Sequence, residues 1–211
     1  MRDIVIIGAG GFGREVKCLI EAINTTQQKY NIVGFIDDGI EVGTEVHQYK
    51  VIGGLNHLIS MKSKPEVVIA VGHPPTKKTI YDKIKDYTFP ALIHPSVSMN
   101  GTNLSIGKGV IICQGTIITC DIKLSDFVTL NLACTIGHDT IIGAFSSCMP
   151  GVNISGKVIM KDAVYIGTGA TIINQLEIGE NTIIGAGALV SKTLPSNCTA
   201  VGVPAKPIKF N

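Results

Sequence analysis

Tryptophan is absent from this chain of 211 residues, and aromatic residues of any kind make up only 5% of it. A wide globular core leans on large rings, so the interior is expected to be narrow and filled by Ile, Val and Ala. Long apolar runs are missing as well. Although 45% of the residues are apolar, no uninterrupted stretch approaches the length that spans a bilayer, which excludes membrane insertion. Charge is sparse at 16%, and the net +2 gives no electrostatic case for nucleic acid. None of the six cysteines (Cys18, Cys113, Cys120, Cys134, Cys148 and Cys198) forms a C-x-x-C pair, so they read as reduced core thiols. At the N-terminus, Ile4 to Ile7 reaches Gly8 too soon to form a signal-peptide apolar region, and a cytosolic protein is expected.

What the chain has in abundance is a beat of six. Counting from Ile106 gives Ile112, Ile118, Leu124, Leu130, Ile136, Ile142, Cys148, Ile154, Met160, Ile166, Ile172, Ile178, Ile184 and Val190, all apolar. At this composition chance produces such a run on the order of a few times in 10⁵. Glycine follows the beat at Gly107, Gly137, Gly143, Gly167, Gly179 and Gly185. A fixed short period means stacked units that bury their apolar faces only against one another. Six fits hexapeptide coils of a parallel β-helix, three short strands to a turn.

The first half has another grammar. Strands are expected at Asp3–Ile7, Ile32–Ile36, Val67–Val71 and Phe89–Ile93, with helices over Arg14–Asn24, Leu55–Met61 and Thr76–Asp86. That alternation implies a small α/β, Rossmann-like parallel sheet. The expected division is residues 1–93, a β-helix over 94–194, and a cap over 195–211 where Leu194-Pro195 breaks the beat.

Gly8, Gly10 and Gly13 make a G-x-G-x-x-G turn after a strand and before a helix, where backbone N–H groups can approach an anion. Asp37 and Asp38 close the next strand, where a ribose-reading acid would sit. The turn reads either as a nucleotide site or as a tight turn without ligand. The half is too short for a full dinucleotide fold, so a nicotinamide oxidoreductase rests on this motif alone. Gly72 and His73 end the third strand, and either line the same pocket or form an ordinary loop.

One histidine falls within the coils. His138, third in its hexad, projects outward beside Asp139, with Asn131 one coil edge earlier. It is either a solvated side chain or a general base. Metal is rejected, because zinc needs several histidines at neighbouring edges.

Taken in order, Gly8-Ala9-Gly10-Gly11-Phe12-Gly13-Arg14-Glu15-Val16, Phe35-Ile36-Asp37-Asp38, Leu92-Ile93-His94-Pro95-Ser96, Ile136-Gly137-His138-Asp139 and Gly202-Val203-Pro204-Ala205-Lys206 resemble the sialic acid O-acetyltransferase family of hexapeptide-repeat acyltransferases. That family includes bacterial N-acetyltransferases acting on nucleotide-linked 4-amino sugars. The resemblance implies a left-handed β-helix, a homotrimer with sites between adjacent β-helices, a nucleotide-sugar substrate held by the N-terminal unit, and acetyl-CoA held by the coils. It implies His138 as base, Asp139 as its orienting acid and Asn131 as a neighbouring polar group. Gly8, Gly10, Gly11, Phe12, Asp37, Asp38, Gly72 and His73 fall to the substrate, and Ser147, Gly156, Thr168, Ala186 and Lys206 to the cofactor. Two positions depart from the family: Phe12 and Ser147 stand where members often carry histidine, which bears on the acceptor. The expected activity is transfer of acetyl to the amino group of a nucleotide-activated sugar for a surface glycan. The alternatives are O-acetylation of a sugar or small-molecule hydroxyl, and a non-catalytic trimeric scaffold with a nucleotide-sensing unit.

Overall fold

The computed structural model describes residues 1–210. The N-terminal elements run β1 (Arg2–Ile7), α1 (Gly11–Thr26), β2 (Tyr30–Ile36), β3 (Glu45–Val46), β4 (Tyr49–Gly53), α2 (Leu55–Ser60), β5 (Glu66–Ile69) and α3 (Pro74–Lys83). The sheet order is β3-β4-β2-β1-β5, parallel except for the β3–β4 hairpin. That hairpin is not expected from the sequence, because its strands are short and carry no alternating pattern. Helix α1 starts earlier than expected, at the second half of the glycine motif, and buries Val16, Leu19, Ile20 and Ile23 on one face.

The rest is a left-handed parallel β-helix. Its strands stack in three faces, with eighteen residues from a residue to its partner on the next coil, as in Thr129↔Ser147 and Ile136↔Ile154. We call them the docking face (Ile111–Ile112, Thr129–Leu130, Ser147–Cys148, Tyr165–Ile166, Ile183–Ile184), the middle face (Ile117–Ile118 to Leu189–Val190) and the far face (Leu104–Ile106 to Glu177–Ile178). Every beat residue from Ile112 to Val190 is buried. Each fully buried aliphatic side chain of this size contributes roughly 1.5–3 kcal/mol. Three residues after the beat the backbone turns left-handed, at glycines such as Gly151 (φ 70°) and at Asp121, Ala133, Asp139 and Lys157.

Two expectations are corrected here. Leu92–Ile93 does not close the small sheet; it pairs with Ile111–Ile112 and is the first rung of the docking face. That first coil holds one residue more than those below it, between Ser98 and Leu104, so the beat becomes visible only at Ile106. The tail is not merely a cap. Cys198–Val201 continues the docking face in parallel on Ile183–Ile184, and Lys206–Phe210 turns back against it antiparallel. Of the cysteines, Cys18 is exposed on α1 and Cys120 half-buried, so not all six are core thiols.

Helices α1 and α3 seat the N-terminal unit on the docking face. Leu19 and Ile20 pack with Leu92, Ile111 and Cys113, while Ile80, Tyr81 and Ile84 pack with Phe127 and Phe145. Tyr81, Phe89, Phe127 and Phe145 form one ring cluster with centroids 4.7–5.7 Å apart, Phe127 and Phe145 stacked and the other pairs tilted or edge-on. Four of the aromatics are thus gathered at this seam, outside the narrow coil interior.

Candidate functional site

The glycine turn follows from local sterics. Gly8 has φ 99°, and a Cβ there would meet the Ala70 carbonyl oxygen at 2.9 Å. A Cβ on Gly13 would run into the Gly8 carbonyl, so the third glycine lets α1 approach β1 closely. Gly10 differs: nothing lies within 4 Å of its would-be Cβ, and it is exposed. The fold therefore has no steric need of a glycine at position 10. Gly11 is also exposed and opens α1, whereas Phe12 is half-buried and packs into the core beneath that helix.

Asp37 and Asp38 brace this turn. Asp37 accepts the Ala9 N–H through Oδ2 (2.9 Å) and the Gly39 N–H through Oδ1 (2.9 Å). Asp38 Oδ1 accepts the Leu55 N–H at 2.8 Å, holding the start of α2. A cavity of about 160 Å³ opens at the carboxyl ends of β1 and β2, lined by Gly8, Asp37, Asp38, Leu55, Val71 and Ile80. This is where ligands gather in an open parallel sheet. Gly72 and His73 follow Val71 but do not line this cavity, contrary to expectation: the His73 ring turns to Thr76 Oγ1 (2.8 Å) at the start of α3 and lines another cavity, of about 400 Å³, with Tyr165 and Ile183. A larger cavity of about 540 Å³ runs beside Gly11 and Arg14 along α1 to His94, Gln114 and Leu132.

His138 stands at the edge between the middle and far faces, exposed. Asp139 adopts the left-handed corner conformation (φ 58°), and its Oδ2 lies 2.7 Å from His138 Nδ1. A carboxylate accepts, so Nδ1 donates, and in the neutral imidazole Nε2 then presents its lone pair. Gly156 lies one coil on, where its would-be Cβ would strike the imidazole ring. The pair thus offers an imidazole, a carboxylate that orients it and a cleared space for the ring. Among the described residues no three His, Cys, Asp or Glu gather to hold a metal ion.

Other expected positions separate from this pair within one chain. Asn131 is 6% exposed and sits at the edge between the docking and middle faces, its Oδ1 accepting the Leu132 N–H at 2.7 Å. Thr168 and Ala186 lie exposed on that same edge, two and three coils below the Leu132 corner. The glycine turn reaches this edge too, since Gly11 shares a cavity with Leu132. Lys206 is exposed in the returning strand, beside the Ala205 N–H bond to Leu189 O. One chain therefore carries the glycine turn and the His138 pair on different edges of the prism.

Ser147 is corrected. Its side chain has no exposed surface and bonds to Lys77 Nζ (3.0 Å) under the N-terminal unit, so it offers a cofactor nothing. Sequence reasoning missed Lys77 altogether. A signal existed, because Lys77, Ile80, Tyr81 and Ile84 share one face of α3 at spacings of three and four, and a lysine there is out of place.

Comparisons with known proteins extend along the whole chain. Residues 3–84 match the PglD N-terminal domain. GDP-perosamine N-acetyltransferase of Escherichia coli O157:H7 is 29% identical over 213 residues, covering 97% of this chain and 95% of that one. A serine acetyltransferase of Buchnera aphidicola is 36% identical over 122 residues, but the match spans only 41% of that protein. The acetyltransferase domain of PglB from Neisseria gonorrhoeae superposes with TM-score 0.89 at 29% identity over 99% of this chain and 100% of that one. PerB of Caulobacter crescentus, solved with CoA and GDP-perosamine, gives TM-score 0.86 at 27% identity over 98% and 97%. With a PglD N-terminal domain ahead of hexapeptide coils, and acetyltransferases matching it end to end, this chain is an acyltransferase that uses acetyl-CoA.

Proposed function

We propose that the protein transfers acetyl from acetyl-CoA to the amino group of a nucleotide-linked amino sugar, at sites shared between protomers of a homotrimer. One observation carries the chemistry: the 2.7 Å bond from His138 Nδ1 to Asp139, which leaves Nε2 free as a base over Gly156. The acceptor amine attacks the thioester carbonyl, forming the new C–N bond. His138 Nε2 takes the proton as it leaves nitrogen. Backbone N–H groups of the coil wall steady the oxyanion until the C–S bond breaks. The imidazolium then returns its proton to the departing CoA sulfur. The GDP-perosamine bound to PerB and the cavity at Gly8, Asp37 and Asp38 support a nucleotide-linked acceptor. The trimer is supported by the separation of His138 from the glycine turn within one chain, which a neighbouring protomer's edge would close. The reading favours the amino-sugar N-acetyltransferases within the resemblance stated above, and leaves Asn131, Thr168, Ala186 and Lys206 as proposed contacts.

The test is thiol release from acetyl-CoA against nucleotide-linked amino sugars and their hydroxyl counterparts, with His138→Ala as control. Turnover confined to the amino sugars and lost in the control is expected. Turnover on hydroxyl acceptors alone would replace this reading with O-acetylation. Absence of both turnover and acetyl-CoA binding would leave the scaffold.

A further inference from the structure

Lys77 is 1% exposed, and its ammonium nitrogen is sealed in the seam between α3 and the docking face. Nζ reaches the Phe127 carbonyl oxygen at 2.8 Å, Thr129 Oγ1 and Ser147 Oγ at 3.0 Å each, and the Ser146 carbonyl oxygen at 3.5 Å. These partners stand on two consecutive coils. Among the described residues no carboxylate pairs with it. On the flanking corner Asp126 is engaged by the Lys108 backbone, on its own helix Tyr81 meets Lys108 Nζ at 2.9 Å, and beneath it lies the buried Cys148 thiol.

Burial of an amine without a counter-ion is costly, and it pulls the pKa of Lys77 from 10.5 down to about 7. The shell suits either protonation state. An ammonium donates three bonds, while a neutral amine donates two and accepts one from a hydroxyl that rotates, as Thr129 and Ser147 can. A leucine would fill the same seam at less cost. What the amine adds to the apolar packing of Ile80, Tyr81 and Ile84 is direction, because its hydrogen bonds tie one point of α3 to named atoms of the coil wall. That orientation matters for the cavity. Helix α3 follows Val71, Gly72 and His73 directly; the Lys77 N–H bonds to His73 O at 3.0 Å, and Ile80, one turn on, lines the cavity with Val71.

We propose that Lys77 is a positioning residue for the acceptor: its bonds to Phe127, Thr129 and Ser147 lock α3 onto the coil wall and so hold Val71 and Ile80 in the shape that the nucleotide end of the substrate fits. The inference rests on the reading of that cavity as the nucleotide site.

The test uses the full-length protein, Lys77→Met, the double variant Thr129→Val with Ser147→Ala, and all three substitutions together. Two quantities are read: KM for each substrate, and amide hydrogen exchange along the chain. In Lys77→Met, KM for the acceptor rises roughly tenfold, KM for acetyl-CoA stays within about twofold, and residues 70–76 exchange faster while 153–190 do not change. The double variant moves in the same direction by less, and the triple variant is no worse than Lys77→Met, since the groups act as one unit. If Lys77→Met does not fold, the double variant carries the test. Unchanged acceptor KM and unchanged exchange over 70–76 would overturn the proposal, as would a parallel rise in both KM values with faster exchange throughout. Failure of the wild-type protein on every nucleotide-linked sugar sinks the function instead. Exchange over 70–76 then decides on Lys77 alone, acceleration supporting the lock and its absence refuting it.

Discussion

The His138 imidazole occupies the volume that a Cβ on Gly156, one coil below, would require. The glycine is not demanded by its backbone, which lies outside the left-handed region, so the ring is what keeps position 156 bare. Gly156→Ala is expected to fold with an apparent Tm within a few degrees of wild type, yet to push the ring off its 2.7 Å bond to Asp139. A displacement of that order costs about 10–10² in kcat. Unaltered kcat in the alanine variant would show that the ring placement is not used.

The proposed base, His138, and its proposed orienting acid, Asp139, separate by degree. His138→Ala removes proton transfer and lowers kcat roughly 10²–10⁴-fold, with little change in acetyl-CoA affinity. Asp139→Asn leaves a base that is no longer held in one tautomer, so its loss is smaller but of the same kind. Equal and mild losses from the two, measured under saturating substrates, would assign the pair a structural role.

Gly10 and Gly13 belong to one motif and are expected to fail differently. A methyl on Gly13 has nowhere to go but the Gly8 carbonyl, so Gly13→Ala costs roughly 2 kcal/mol or more by urea unfolding. A methyl on Gly10 meets open space, so Gly10→Ala leaves stability within about 0.5 kcal/mol. If a phosphate approaches that backbone, the same variant weakens nucleotide-sugar binding in calorimetry. Retained affinity in Gly10→Ala would remove the turn from the substrate site.

The buried titratable groups set a stability maximum. Lys77, with its pKa lowered to about 7, is charged in the unfolded chain and neutral in the folded one between pH 7 and 10.5, so stability climbs with pH from 7 upward. The thiols act in reverse. Burial raises Cys113 to about 12 and Cys134 to about 11, so above pH 9 the unfolded chain ionises first and stability falls. Urea midpoints should therefore rise from pH 7 to about 9 and decline beyond it, and Lys77→Met should flatten the rise while keeping the decline. A wild-type midpoint that does not rise over pH 7–9 would mean that Lys77 keeps its proton in the fold.

The coils were legible because each beat residue answers a single physical demand, an inward apolar side chain, repeated without exception to Val190. His138 and Asp139 were legible for the converse reason, as polar residues on a scaffold whose period states which way each position points. The β3–β4 hairpin was not, since Glu45–Val46 is too short to show any period. Nor was the fate of Ser147. It sits before a beat residue and so points outward, but nothing in the coil sequence tells that the N-terminal unit covers it. That knowledge resides in Lys77, seventy residues away, and only folding joins the two.

The separation of His138 from the glycine turn makes a prediction about assembly that no single variant can test. If each site takes its turn from one protomer and its base from a neighbour, two inactive chains can rescue one another. His138→Ala retains an intact N-terminal unit, and a chain with a disabled glycine turn, such as one carrying Gly10→Glu, retains an intact His138. Random mixing by co-expression pairs a sound turn with a sound base in about a quarter of the shared sites of a cyclic trimer. The mixture should then recover about that share of wild-type turnover, while the two variants purified apart and then combined without subunit exchange stay silent. Sites built within one chain would give no recovery on any mixing, because every chain lacks one half. Absence of recovery in a mixture shown to contain both chains would place turn and base together in a single protomer, against the geometry of the prism.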